Sequence, residues 1–518
     1  MSKKSVFIVV CLILSIYTIF FSFYKINLPT ADIGRHITNG KIFLNSSEYG
    51  ISKSDILYTN FFSYTYPTFP FVNHHWLSGI ASYIIFSIFG FSGLSVIYFL
   101  LIIGALVFAL YTTKDESSLP IIFLTGLFLI PLIADRTEVR PEGLSYLLLS
   151  LFIFILYRYN KNLVPEKALW ILPFIQLLWV NTHIYFIFGI FLVGVFFFEN
   201  LILRYFEKAK KLFIILLSTI FASVINPYFI KGVIYPFTVF QNYGYKIVEN
   251  QSISFLENLS FQNPSFLWYK ITLVIVVISS LIVLIKNRKN FPIALFIISI
   301  TFAVLGYSGI RHIPAFALVS LSLIALNIST IKGFAKTKTE EEVKIIIYTL
   351  IFFVLIISTF LHFENRLPWN REFGLGIDNG DLGSAKFIVD NNIRGPIFNN
   401  YDIGGMLIFS LFPKEKVFVD NRPEAYPKEF FEQVYIPMQE DDNVWNAELK
   451  KENFNVIYFY RLDYTPWSQK FLISRVSDEN WAPVFVDNKT IIFLRRNEEN
   501  KKVIEKYELP KSLFGIKN

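Results

Sequence analysis

Long unbroken hydrophobic runs fill roughly the first 360 residues of this chain, and only short ones follow. The first run, Ser5 to Tyr24, lies behind Lys3 and Lys4 and matches the roughly 20 apolar residues that a membrane-spanning helix requires. Its charged start is shared with secretory signals, but no small-residue cleavage site follows it and many similar runs do. It therefore reads as a retained first helix. Further runs lie at 92–112, 119–134, 143–157, 166–180, 184–199, 212–225, 267–285, 291–307, 313–327 and 345–361.

Basic residues decide how these runs are threaded. With a cytoplasmic amino terminus and one crossing between Trp76 and Tyr111, the cytoplasmic loops carry Arg158 and Lys161, then Arg204, Lys208, Lys210 and Lys211. They continue with Lys286, Arg288 and Lys289, then Lys332, Lys336, Lys338 and Lys344. This obeys the positive-inside rule at nearly every turn. A separate span at Trp76–Phe89 would invert every later loop, so that segment is expected to be an interfacial or half-inserted helix broken at Gly90. About eleven transmembrane helices result, with the carboxyl-terminal region outside.

After Leu361 the pattern changes. Short apolar runs at Pro396–Phe398, Lys416–Val419, Val456–Tyr460 and Thr490–Leu494 have strand character. They alternate with helical stretches at Gly383–Asp390, Met406–Phe412, Lys428–Tyr435 and Trp467–Val476. The expected architecture is a polytopic α-helical membrane module, residues 1–361 with a large first external loop at 25–75, followed by an extracytoplasmic α/β domain, residues 362–518.

Composition adds little to this picture. Hydrophobic residues make up 53% and charged residues 17%, with a mean hydropathy of +0.47. The net charge of +8 is largely accounted for by topogenic lysines and arginines, so it calls for no nucleic-acid partner. Cys11 is alone, which rules out a disulfide framework within the chain.

Charged pairs and histidines that do not serve as anchors fall on the outer face. The first external loop holds Asp32, Arg35 and His36, then Asp55, and closes with His74, His75 and Trp76. A carboxylate beside an arginine and a histidine can be tuned for proton transfer, while Asp32 can also cap a helix starting at Ile33. His74 and His75 lack a partner set for a metal ion and read as interfacial residues, or as sugar or phosphate contacts. A second cluster, Asp135, Arg136, Glu138, Arg140, Pro141 and Glu142, sits between two spans, where charges pair with one another or line a wet anion site. Asn181, Thr182 and His183 form a third, Asn226, Pro227 and Tyr228 a fourth, and Arg311 with His312 a fifth. Five such sites on one face point to a cavity for something polar and anionic. In the tail, Asp402 with Gly404 and Gly405 lacks the spacing and lysine of a phosphate loop and reads as a glycine-permitted turn opening a helix. Asp420, Asn421 and Arg422 end an expected strand, where ligand-facing residues lie.

The stretch DIGRHITNG from Asp32 to Gly40, with FSYTYPTFPFVNHHWL after it, resembles the first external loop of bacterial GT-C-type glycosyltransferase-like membrane proteins. RPEG, WVNTH, NPY and RHIPAFAL stand where that group has outer-face motifs, and NNYDIGGMLIFSLFPKEKVFVDNRPEAY resembles its tail. The resemblance implies inverting transfer of a sugar from a polyprenyl-phosphate donor to an envelope glycan, lipid or protein acceptor, at the outer side of a bacterial cytoplasmic membrane. It makes Asp32 the match for the catalytic acidic residue. Arg35, His36, Asp55, His74, His75, Arg136, Glu138, Arg140, His183, Arg311 and His312 are then the expected substrate contacts. The sequence departs from the family in lacking a paired Asp-x-Asp and in placing His75 before Trp76. The cofactor is left open: a divalent metal would suit the chemistry, but no motif for one is present. Two other classes share these features, a transporter or flippase of a lipid-linked or anionic solute and a noncatalytic envelope-assembly protein.

Overall fold

The computed structural model describes all residues except 1–2, 137, 240–242, 333–343, 345, 348–349, 351–371 and 516–518. Most apolar runs become helices with nearly the expected bounds: Lys3–Ser22, Leu119–Ile133, Glu142–Asn160, Phe206–Val224, Pro264–Lys286, Ile293–Ser308 and Ile313–Lys332. The run at 345–361 and the boundary at residue 361 lie largely outside the described residues. Among those described, six helices are long and apolar enough to cross a membrane, and Leu119–Ile133 and Ile293–Ser308 are shorter apolar helices. The run at 166–180 divides into a 3₁₀ turn, Glu166–Trp170, and a helix, Ile171–Val180, whose ten residues rise only about 15 Å.

The segment Trp76–Thr112 contains the expected break. Gly90 has φ 64° and ψ −163°, a combination essentially confined to glycine. The first half, up to Phe89, packs against Ile33–Leu44 of the loop at 25–75. The approach is close enough that a Cβ on Gly40 would lie 2.1 Å from the Gly79 carbonyl oxygen.

The carboxyl-terminal sheet has the order β1-β2-β4-β3, with β1 Ile397–Asn399, β2 Val456–Tyr460, β3 Trp481–Val486 and β4 Thr490–Arg495. β1 and β2 are parallel, with Phe398 opposite Ile457, and β2–β4 and β4–β3 are antiparallel. Three of the four expected strands are present. Lys416–Val419 is not a strand of this sheet: Val417 forms an isolated bridge to Ser63, and the segment meets β1 through side chains, with Asn399 accepting from the Phe418 N–H and donating to the Val419 oxygen in place of ladder hydrogen bonds. The sequence reading also missed β3 and the helix Asp442–Glu452.

The external loop and the tail share their cores. Ile26, Leu28, Ile33 and Ile37 are buried in one cluster with Ile388, Ile403 and Met406, and Phe71 joins Phe398, Phe418 and Phe430 in another. Three glycines let the segments meet. A Cβ on Gly34 would lie 2.8 Å from the Gly405 oxygen, one on Gly404 would lie 2.5 Å from Asp420 Cα, and one on Gly405 would lie 3.1 Å from the Ala31 oxygen. The helix Gly404–Leu411 does open at these glycines, and close approach is the physical demand they meet.

Candidate active site

Asp32 stands where the membrane helices, the external loop and the tail domain converge. The helix does begin at Ile33, but the Asp32 side chain makes no capping hydrogen bond, which corrects the expectation that it serves as a cap. Its carboxylate is drawn instead to Arg140 Nη1 at 3.3 Å and Arg35 Nη2 at 3.9 Å, and it accepts a hydrogen bond from the Asn421 amide. Burial raises its pKa above the usual range, and Arg140 and Arg35 oppose that rise. A carboxylate moved toward neutral pH is suited to accept a proton.

Around it lies an ionic network assembled from four separate stretches of chain. Arg136 reaches Glu249 at 2.9 Å and Glu142 at 3.4 Å, and Arg140 reaches Glu138 at 2.6 Å and Glu249 at 3.0 Å. Arg311 binds Glu142 at 3.1 Å and donates to Asn250 Oδ1 at 2.9 Å. Burial alone would raise the Glu249 carboxyl, yet Arg136, Arg140 and Arg311 overcome it and bring it down to about 2. Arg136, Arg140 and Arg311 thus face Asp32, Glu138, Glu142 and Glu249, and removing one partner of such a set leaves an uncompensated charge.

Five histidines adjoin the network. His75 contacts His36, His74 and His183, with ring centroids 5.2, 3.7 and 5.4 Å away. His183 packs on Tyr185 at 4.6 Å, and the Tyr185 hydroxyl hydrogen-bonds His312 Nδ1 at 2.8 Å. His183 Nδ1 also lies 2.8 Å from the Ser145 hydroxyl, which in turn accepts from the Trp179 indole N–H. Burial lowers His74 to about 3 and holds His36 and His75 well below their ordinary value. These three are therefore neutral near pH 7 and serve as stacking and hydrogen-bonding groups, not as cations.

The structure thus brings together Asp32, Arg35, His36, His74, His75, Arg136, Glu138, Arg140, His183, Arg311 and His312. Asp55 is not among them: it is exposed in the short helix Lys53–Tyr58, where its N–H donates to the Ser52 hydroxyl. Sequence reasoning missed Glu249, an acidic residue in the long segment 226–265 with no charged residue beside it to mark it. Asp402, on the turn before Gly404–Leu411, adds a further carboxyl that burial and Asp463 push upward, to about 7.

Among the described residues no three His, Cys, Asp or Glu side chains converge in a set that would hold a metal ion. The Asp32, Glu138, Glu142 and Glu249 carboxylates are each drawn to a guanidinium group.

No family model matches the chain, and no curated protein is similar to it in sequence. Solved structures are similar in fold. The archaeal oligosaccharyltransferase AglB from Archaeoglobus fulgidus, in complex with an inhibitory peptide and a dolichol-phosphate, superimposes with a TM-score of 0.61 at 13% identity. The match covers 97% of this chain and 77% of that one. An Archaeoglobus fulgidus oligosaccharyltransferase in complex with zinc and sulfate gives 0.56 at 13% identity, covering 95% and 73%. With its apolar helices and its tail sheet, this chain is an integral membrane protein that shares the fold of those oligosaccharyltransferases.

Proposed function

We propose that this protein is a membrane glycosyltransferase that moves a sugar from a polyprenyl-phosphate-linked donor to an extracytoplasmic acceptor, with Asp32 as general base. The observation that carries the reading is the position of Asp32. It is a partly accessible carboxylate flanked by Arg140 and Arg35, at the junction of the two halves of a fold whose solved examples include one complexed with dolichol-phosphate and a peptide. In the proposed step Asp32 takes a proton from the acceptor nucleophile as that atom bonds to the anomeric carbon. The bond from that carbon to the phosphate oxygen breaks, and polyprenyl phosphate leaves with inversion. The departing phosphate needs cationic stabilisation, for which Arg136, Arg140 and Arg311 are the candidates. Because each guanidinium already holds a carboxylate, phosphate binding is an exchange of anions on a frame oriented beforehand. We assign the membrane module to donor binding and residues 362–518 to the acceptor, which the peptide in the AglB complex makes a peptide among the possible envelope acceptors.

The test is transfer by the purified protein from a panel of polyprenyl-phosphate sugars. Asp32→Asn keeps the size of the side chain, and transfer should fall by about 10²–10⁴-fold, the usual contribution of general acid–base catalysis, with donor binding retained. Neutralising Arg136, Arg140 or Arg311 should raise the donor KM, lower kcat, or both. Transfer at the parental rate by Asp32→Asn would remove the assignment.

A further inference from the structure

Residues 420–422 form a small rigid device aimed at Asp32. Asp420 and Arg422 are almost wholly buried and joined as a fork: Arg422 Nε donates to Asp420 Oδ1 at 2.7 Å and Nη2 to Oδ2 at 2.6 Å. Arg422 Nη2 also donates to Asn60 Oδ1 at 2.6 Å, and the guanidinium lies over the Phe71 ring at 4.6 Å. The Asp420 N–H donates to the Tyr426 hydroxyl at 3.1 Å. A buried ion pair is weak evidence for stability, because desolvation offsets much of its attraction. Its bidentate geometry does fix direction, and here it anchors both neighbours of Asn421.

The amide between those anchors is oriented as well. Asn421 Oδ1 accepts from Arg35 Nε at 3.3 Å, and Nδ2 donates to Asp32 Oδ1. With its carbonyl committed to a cation, the amide presents its N–H group to the carboxylate. We propose that Asn421 is a positioning residue which fixes the orientation of the Asp32 carboxylate, so that the tail domain forms part of the transfer site itself as well as covering it. This rests on the reading of Asp32 as the base.

A hydrogen bond donated to the ionised form of a carboxyl favours that form, so removing Asn421 should make Asp32 harder to ionise. Arg140 and Arg35, together with Glu138, Glu249 and the Asp402 carboxyl of the tail, also act on Asp32, and all remain in the variant. The experiment uses the full chain, purified and reconstituted. Infrared difference spectra across pH identify the Asp32 carboxyl band as the one absent in Asp32→Asn. In Asn421→Ala the midpoint of that band should rise by about one pH unit or more, the scale of a hydrogen bond to a charged group. In the same variant kcat should fall about tenfold with donor KM unchanged, and the acidic limb of its pH profile should move upward. Asn421→Asp keeps the acceptor for Arg35 but adds a like charge, and should raise the midpoint further. Should Asn421→Ala fail to fold, Asn421→Ser is expected to give the same direction of shift.

An unchanged midpoint in a folded Asn421 variant overturns the positioning role. A purely structural role would lower thermal stability and leave both midpoint and limb where they were. The two readings separate cleanly, because parental transfer by Asp32→Asn defeats the base assignment while the infrared midpoint still reports on Asn421.

Discussion

Glu249 gathers the three outer arginines although none of them is near it in sequence. It lies 2.9 Å from Arg136, 3.0 Å from Arg140 and 3.7 Å from Arg311. Breaking such a partly buried set by Glu249→Gln should cost roughly 3 kcal/mol at neutral pH, the low end for losing one partner of a buried pair. Because the folded-state carboxyl titrates near 2 instead of the ordinary 4.5, the folded protein binds fewer protons than the unfolded chain between those values. Its contribution to stability is therefore complete above about pH 4.5 and disappears as pH falls toward 2. Thermal unfolding of the parent should accordingly weaken more steeply from pH 5 to pH 3 than that of Glu249→Gln, and parallel pH dependences would contradict the network. Legibility differed among these residues for a physical reason. Arg136, Glu138 and Arg140 are conspicuous because charges in a short loop between spans must be matched. Glu249 sits in a long stretch of mixed composition between spans, where no neighbouring charge marks it, and only the fold reveals its partners. Asn421 was visible as a strand-end residue, but nothing in the sequence tied it to a position 389 residues earlier.

Elements were legible wherever length or period constrained them. Spanning helices announce themselves because twenty apolar residues have few other uses in a folded chain, and Gly90 was readable as a break because glycine alone tolerates the required backbone. Lys416–Val419 misled because an apolar run looks alike whether it joins a sheet or bridges to a loop. β3 was hidden by Pro483, which cannot donate to a ladder. The Asp442–Glu452 helix was hidden by its largely polar composition, with Trp445 buried. Close approach between elements is testable with two glycines of the tail. Ala at Gly404 would place its Cβ 2.5 Å from Asp420 Cα and 2.6 Å from the Val419 oxygen, both backbone atoms that cannot step aside. A destabilisation of about 1–3 kcal/mol is expected, together with loss of activity because Asn421 moves with Asp420. Gly383 has the opposite surroundings, exposed at the start of a helix with its nearest neighbour 4.0 Å from the added Cβ. Gly383→Ala should raise stability by about 0.4–1 kcal/mol through the unfolded chain. Thermal midpoints of the two variants should thus move in opposite directions, and equal shifts would mean that crowding at Gly404 is relieved elsewhere.

At the scale of the whole molecule, the fold links the orientation of two regions that the sequence could assign only one at a time. Lys25 pairs with Glu372 at 2.7 Å, the Leu28 N–H donates to Asp381 at 2.9 Å, and Asn60 donates to the Ala425 oxygen at 2.9 Å. The first external loop and the tail are therefore on the same side of the bilayer, together with Glu142 at the start of its helix. The far end of that helix, some 28 Å away by its rise, carries a different population. Arg158 meets Asp115 at 2.8 Å, Lys161 meets Glu116 at 2.7 Å, and Lys208 donates to the Asn160 oxygen at 2.7 Å. From the surplus of lysine and arginine at that end we propose that it is the cytoplasmic one. Single cysteines at Ser47 and Lys501, both exposed, introduced after Cys11 is replaced, should react with an impermeant thiol reagent in intact cells. A cysteine at exposed Lys161 should react only after the membrane is permeabilised. Reaction of Ser47 and Lys501 from opposite sides would contradict the packing of loop against tail. Reaction of both from the inside, with Lys161 outside, would keep that packing and reverse the orientation, leaving Asp32 unable to meet an extracytoplasmic acceptor.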